Sequence, residues 1–93
     1  MTLLGPEELA MIEQDCPGWY VKNSVLERVV TFSTFPDGIA FVNRVADLAE
    51  EMGHHPDIVI RYTEITLTLS THSEGGITDK DIRLAARINA LLR

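Results

Sequence analysis

The spacing of apolar residues along the chain predicts three helices. In three segments the apolar residues recur at intervals of three and four, which is the pattern of an amphipathic helix with one buried face. Gly53 is a natural residue to end the second segment. Thr78 is a natural N-cap for the third, with Asp81 placed to complete a capping box. The predicted helices cover about residues 6–16, 35–52 and 78–92.

Four shorter segments are rich in β-branched residues and predict strands. The last is the clearest, because apolar and polar residues alternate from Ile65 onward, which buries one face and leaves the other hydroxylated. Continued to its end, this alternation puts Thr71 on the packed face and His72 on the polar face. A tight turn at Thr63-Glu64 is expected to precede it. The predicted strands cover about residues 19–21, 25–33, 57–62 and 65–72.

The predicted order of elements is therefore α-β-β-α-β-β-α, in a single domain that spans residues 1–93. Strands that follow one another in pairs form hairpins, so the sheet is expected to be antiparallel. We predict an α+β fold in which a four-stranded antiparallel sheet carries three helices on one face.

The composition narrows the classes of partner. The formal net charge of −6 and the isoelectric point near 4.8 argue against nucleic acid or an anionic membrane, because both require dense Lys and Arg. No apolar run approaches the roughly 18–20 residues of a membrane helix, and the N-terminal residues do not resemble a secretory signal. The single cysteine, Cys16, predicts a reducing, cytoplasmic setting and a small, partly buried side chain at a helix end rather than a nucleophile.

All three histidines lie between His54 and His72, and two of them are adjacent just before Pro56. Histidine gives and takes protons near neutral pH, so this cluster suggests acid–base chemistry in a cleft beside the sheet. A shared metal ion is disfavoured, because the adjacent side chains of His54 and His55 project to opposite sides of an extended chain. The helical i, i+4 spacing of a common zinc motif is also missing.

Each candidate residue also has a plain structural interpretation. An isolated histidine is usually solvated or hydrogen-bonded, and a carboxylate at the position of Asp81 is usually a helix cap. Glu50 is readily explained as a surface acid, and Trp19 as a core residue. Four basic residues predict a solvated face on the last helix: Lys80, Arg83, Arg87 and Arg93. The residues alone thus indicate a small α+β domain with a histidine acid–base site, and no substrate.

A longer pattern indicates a family. The stretch Glu50-x3-His54-His55-Pro56-x5-Tyr62-x9-His72-x8-Asp81 closely resembles the signature of the pterin-4a-carbinolamine dehydratases. The similarity also includes Gly18-Trp19, the 32–35 and 44–46 segments, and the run from Leu67 to His72. It covers roughly residues 6–92, which is nearly the whole chain.

The resemblance implies an enzyme that dehydrates 4a-hydroxytetrahydropterin to quinonoid dihydropterin, without metal or cofactor. This reaction recycles the pterin that an aromatic amino-acid hydroxylase has used. The resemblance implies catalytic roles for His54, His55, His72 and Asp81, with His54 and His72 as the acid–base pair. It implies substrate-binding roles for six residues: Trp19, Glu50, His55, Pro56, Thr71 and His72.

The resemblance also implies a homodimer or homotetramer, because a four-stranded sheet leaves edges that family members pair across subunits. Two other classes of function stay open at this stage. One is a non-catalytic interaction or dimerisation module that uses a strand edge or the last helix. The other is a related pterin role in folate or molybdopterin metabolism.

Overall fold

Residues 3–92, which the computed structural model describes, form three helices and one four-stranded antiparallel sheet in the order α-β-β-α-β-β-α. The predicted α+β fold class is therefore confirmed. The helices and strands have these bounds: α1 (Pro6–Asp15), β1 (Tyr20–Lys22), β2 (Val25–Thr31), α2 (Phe35–Met52), β3 (Asp57–Arg61), β4 (Glu64–Leu69) and α3 (Asp79–Leu91). A short 3₁₀ helix, His72–Glu74, lies between β4 and α3.

The sheet has the strand order β1-β2-β4-β3, so β4 lies inside the sheet between β2 and β3. Its alternation is the one the sequence predicts, because Ile65, Leu67 and Leu69 are fully buried and the threonines between them are not. Leu26 on β2 pairs with Leu69 on β4, and its side chain lies on the same buried face of the sheet. The helices cover this apolar side, and the core forms between them and the sheet.

None of the described helices lies on the opposite face of the sheet. Val29, Thr66 and Val59 lie in register across β2, β4 and β3 on this face, and the two valines are about half exposed. Tyr20 on β1 is similarly exposed.

The helix ends follow the predicted signals. The hydroxyl of Thr34 accepts a hydrogen bond from the Asp37 N–H at the start of α2, and Gly53 ends that helix with a φ of 63°. At α3 both halves of the capping box between Thr78 and Asp81 are present. Since the end of α2 and the start of α3 are fixed in this way, the segments next to them are held as well.

Several predicted strand boundaries are wrong; β2, for example, ends at Thr31 instead of Ser33. The first strand begins at Tyr20 instead of Trp19, and the turn before β4 is Tyr62-Thr63 instead of Thr63-Glu64. Tyr62 adopts a φ of 54° there, which the sequence pattern does not indicate. The alternation of β4 was expected to continue to His72, but the strand ends at Leu69.

The strand ends early because the chain turns back on itself directly after it. Thr71 forms an isolated bridge with Gly76, and its carbonyl accepts hydrogen bonds from the N–H groups of Glu74 and Gly75. Gly75 completes the turn with a φ of 77°. His72 therefore lies on a 3₁₀ turn rather than on a strand face.

Candidate active site

All three histidines line one open cleft, with a volume of about 240 Å³. His54 and His55 reach it from the connection between α2 and β3, and His72 reaches it from the 3₁₀ turn after β4. The other residues that line it are Gly53, Ser70, Thr71, Ser73 and Lys80. The structure thus brings together the three histidines that the sequence grouped only as a cluster.

His54 is held by a buried carboxylate. Its Nε2 lies 2.5 Å from Oδ1 of Asp81, whose side chain is 0% exposed, while the His54 side chain is 11% exposed. A buried carboxylate accepts hydrogen bonds, so this contact places a proton on Nε2 of His54. Within residues 3–92, Nδ1 of His54 has no hydrogen-bond partner.

The second carboxylate oxygen of Asp81 also accepts hydrogen bonds. Its Oδ2 accepts hydrogen bonds from the Thr71 hydroxyl and from the Thr78 N–H, each at 2.9 Å, and the two threonine hydroxyls are 2.7 Å apart. Burying a charge is costly unless its hydrogen bonds are satisfied, and this group of three residues satisfies them. Asp81 therefore caps the start of α3, as its position in the sequence suggested, and it also holds His54.

His55 has a different environment from its neighbour. Its Nε2 lies 2.5 Å from Oε2 of Glu50, but the side chains are 60% and 79% exposed, so solvent screens this pair. The two adjacent histidines thus contact two different carboxylates, one buried and one exposed. Glu50 contacts His55 but does not line the cleft. Pro56, the next residue after His55, is half-buried and does not line the cleft either.

Trp19 does not lie with the other predicted site residues. Its side chain is 0% exposed, and its indole N–H donates to Oδ1 of Asn89 at 2.9 Å. Asn89 is eight residues after Asp81 on α3, which is about 12 Å along a helix. The substrate-lining role implied for Trp19 is therefore not what this structure shows: the indole is a core residue with its one polar atom satisfied.

Lys80 is exposed, as the predicted solvated helix face requires, and it also lines the cleft, which the sequence pattern did not indicate. Arg83 and Arg87 fit that prediction, because both are exposed and pair with Asp79 and Glu51. Arg93 lies outside the described residues. The available signal for Lys80 was its position directly before Asp81, in the first turn of a helix whose N-terminus faces the histidines.

Two further observations bear on the chemistry of the chain. Within residues 3–92, no group of three or more His, Cys, Asp or Glu side chains is arranged to hold a metal ion. Cys16 lies at the end of α1, as predicted, but it is fully rather than partly buried; burial, followed by the nearby Asp15 carboxylate, raises the pKa of its thiol.

Comparison with known proteins identifies the family. The sequence profile of the family described as pterin 4 alpha carbinolamine dehydratase matches residues 2–91. The chain belongs to this family. Two relatives bear the name pterin-4-alpha-carbinolamine dehydratase: one from Nocardia farcinica is 50% identical and one from Thermomicrobium roseum is 47% identical. The matches cover 98% of this chain and 96% and 98% of the relatives.

Solved structures of pterin dehydratase-like proteins share the fold. A crystal structure of a transcriptional coactivator/pterin dehydratase from Brucella melitensis superposes with a TM-score of 0.92 at 30% identity, covering 97% of this chain and 98% of that one. A pterin dehydratase-like RuBisCO assembly factor of the alpha-carboxysome gives a TM-score of 0.64 at 30% identity. That match covers 78% of this chain and 84% of the assembly factor. No described helix of this family member is long and apolar enough to cross a membrane.

Proposed function

We propose that this protein dehydrates a 4a-hydroxytetrahydropterin to the quinonoid dihydropterin by histidine acid–base catalysis. The observation that carries the proposal is the shared cleft, in which three histidines meet and His54 is fixed by the buried Asp81. Membership of the dehydratase family and the names of its relatives support the same reaction.

The reaction needs two proton transfers. The C4a–O bond breaks, and the departing hydroxide takes a proton to leave as water. The N5–H proton is removed, and its electron pair forms the double bond between N5 and C4a. Hydroxide is a poor leaving group, so an acid and a base that both work near neutral pH lower the barrier to this step.

His54 and His72 are the proposed acid–base pair. With Nε2 of His54 bonded to Asp81, its Nδ1 is left to exchange a proton with the substrate. His72 reaches the same cleft from the 3₁₀ turn after β4, and His55 with Glu50 is proposed to bind and orient the pterin ring. Thr71 contributes by donating a hydrogen bond to Asp81. We do not specify which of His54 and His72 is the acid and which is the base.

The direct test is the rate at which purified protein, treated with a chelator, dehydrates the 4a-carbinolamine. We expect His54→Ala and His72→Ala each to lower kcat by about 10²-fold or more, the usual size of a general acid–base contribution. Arg87→Ala is the matched control, because Arg87 is on the exposed face of α3, outside the cleft, and pairs with Glu51. Wild-type protein that leaves the uncatalysed rate unchanged would contradict the proposal.

The proposed physiological role is recycling of the pterin used by an aromatic amino-acid hydroxylase, in a reducing, cytoplasmic setting that suits the unpaired, buried thiol of Cys16. The test is a coupled assay in which a hydroxylase works with limiting tetrahydropterin. Added protein should sustain its turnover, and the His54→Ala variant should not. No gain in turnover would argue for another pterin pathway.

A non-catalytic interaction module is the second candidate, because a protein of this fold is described as a RuBisCO assembly factor. The helix-free face of the sheet, with Tyr20, Val29 and Val59 about half exposed, offers a surface for such a role. This candidate predicts that histidine substitutions leave function unchanged, whereas Val29→Lys or Val59→Lys abolishes it.

We also propose that copies of the chain associate into a homodimer or homotetramer. The strand β3 pairs only with β4 among the described strands, so its outer edge has free main-chain groups for another strand. Sedimentation that shows a monomer at all accessible concentrations would contradict this part of the proposal.

A further inference from the structure

Lys80 is a cation in the candidate active site that the acid–base chemistry does not use. Dehydration needs groups that exchange protons near neutral pH, and a lysine ammonium ordinarily keeps its proton there. Its presence in the cleft with three histidines therefore calls for another explanation.

The ion pairs on α3 distinguish Lys80 from its neighbours. Arg83 pairs with Asp79 at 2.5 Å and Arg87 pairs with Glu51 at 3.4 Å. Within residues 3–92, Lys80 makes no ion pair, although the chain has 14 acidic residues and only 8 Lys and Arg. Arg28, Arg44 and Arg61 make no ion pair either, but they lie outside the cleft, so among the described basic residues of α3 Lys80 is the one that is both unpaired and in the cleft lining.

The carboxylates near the cleft are either occupied or directed elsewhere. None of the eight residues that line it is acidic. Both oxygens of Asp81 are bonded to His54, Thr71 and Thr78, and Glu50 is paired with His55. Glu74 belongs to the same 3₁₀ turn as His72 but does not line the cleft. The lining therefore presents hydroxyl groups, imidazoles and one fixed positive charge.

We propose that Lys80 makes this cleft selective for pterins whose side chain carries an anionic group, phosphate in particular. This inference rests on the proposed function, since it assumes that the histidines hold the pterin ring. A ring placed among the histidines leaves its side chain to extend toward the open part of the cleft, where Lys80 supplies the opposite charge and Ser70 and Ser73 supply hydroxyl donors.

A pair of ligands that differ only in charge tests the inference. 6-Hydroxymethyl-7,8-dihydropterin and its phosphate ester share one ring, and calorimetry gives Kd for each. Wild-type protein should bind the ester about three- to tenfold more tightly, the range for one partly exposed charge-assisted contact. The preference should shrink as ionic strength rises, because salt screens exposed charges.

Variants of α3 assign the preference to Lys80. Lys80→Gln should bring the ratio of the two Kd values to about one, and Lys80→Arg should keep it above one, since it retains the charge. Arg83→Gln is the matched control: it removes one positive charge from the same helix, but Arg83 lies outside the cleft, so the ratio should stay at the wild-type value. Both positions are exposed in a helix that accepts glutamine well, so the variants should fold.

Three results would overturn the inference: equal affinity of the wild type for the two ligands, a preference that persists in Lys80→Gln, or an equal loss of preference in Arg83→Gln. Binding of neither ligand would overturn it as well. The dehydration assay with an uncharged pterin carbinolamine is run beside it, so that a failure of the proposed function is seen separately from a failure of the charge selectivity.

Discussion

Asp81 and His54 are joined at 2.5 Å across the contact between α3 and the end of α2, and this pair couples the start of a helix to the candidate chemistry. Oδ1 of the carboxylate serves the imidazole, and Oδ2 serves the helix cap. A change at residue 81 should therefore affect stability and activity together.

Asp81→Asn keeps the shape of the side chain and removes its charge. We expect kcat to fall by about 10²-fold, because His54 loses the acceptor that fixes its proton on Nε2. The free energy of unfolding should fall by about 1–3 kcal/mol, since a buried hydrogen-bonded group is disrupted. Asp79→Asn in the same turn is the control: Asp79 forms an exposed pair with Arg83, so less than about 1 kcal/mol and little activity should be lost.

His55 should act on substrate binding more than on chemistry. Because His55 is exposed and paired with the exposed Glu50, we expect His55→Ala and Glu50→Gln to raise KM severalfold while kcat changes less. Steady-state kinetics with the 4a-carbinolamine separate the two constants. A fall in kcat as large as that of His54→Ala would instead place His55 in the proton-transfer step.

Trp19→Phe tests whether the indole touches the substrate. We expect kcat and KM to stay within about twofold of the wild-type values, because the side chain is fully buried away from the histidine cleft. Chemical denaturation should show a loss of about 1–3 kcal/mol, since Asn89 loses its indole N–H partner and the core loses volume. A large rise in KM without loss of stability would restore the substrate-lining role.

Gly18→Ala should destabilise the protein more than Gly75→Ala. Both glycines have a positive φ, 89° and 77°, so both changes strain the backbone. A Cβ at residue 18 would also lie 2.5 Å from an Arg28 guanidinium nitrogen that is held by the Pro17 carbonyl and Asn89, whereas a Cβ at Gly75 meets nothing within 4 Å. We expect a difference of about 1–2 kcal/mol in thermal unfolding.

A double-mutant cycle assigns that difference to its cause. In an Arg28→Ala background, Gly18→Ala should cost about the same as Gly75→Ala, because the clashing group is gone. An unchanged difference would mean that the backbone at residue 18, and not Arg28, requires glycine.

Cys16 predicts a specific loss of stability at high pH. Burial raises the pKa of the folded thiol above its ordinary value of 9.0, so the folded state keeps a proton that the unfolded state releases. The free energy of unfolding contributed by this group is complete below pH 9.0 and falls as the pH rises through the folded pKa. Urea denaturation above pH 9.0 should show a steeper decline for wild type than for Cys16→Ala, and parallel declines would contradict this.

The elements of this fold were predictable because their signals are local. The alternation in β4, the glycine after α2 and the capping box of α3 each depend on residues close in sequence. The left-handed conformation of Tyr62 was not predicted, because its turn lacks the glycine or asparagine that usually marks such a position. The early end of β4 was not predicted, because the alternating pattern continues through Thr71, which forms the bridge with Gly76. For Trp19, sequence supports two roles, and only its burial and its bond to Asn89 decide between them.

The sequence predicted that the three histidines belong to the candidate site, but it did not predict that Lys80 lines the same cleft. His54, His55 and His72 are recognisable in the sequence because they form a cluster of one rare residue type. Lys80 is not, because its position in the helical pattern of α3 is that of a solvent-facing residue. Its role depends on which side of the first turn of α3 faces the end of β4, and side-chain direction relative to a neighbouring element is not encoded in local periodicity.

The double duty of Asp81 has a consequence for how this fold diverges. A lineage that no longer needs the reaction is free to lose His54, because that loss leaves the cap of α3 and the Thr71 and Thr78 hydrogen bonds intact. Losing the carboxylate would weaken the fold itself. In descendants that have exchanged catalysis for another task, we therefore expect the aspartate to outlast the histidine it once oriented.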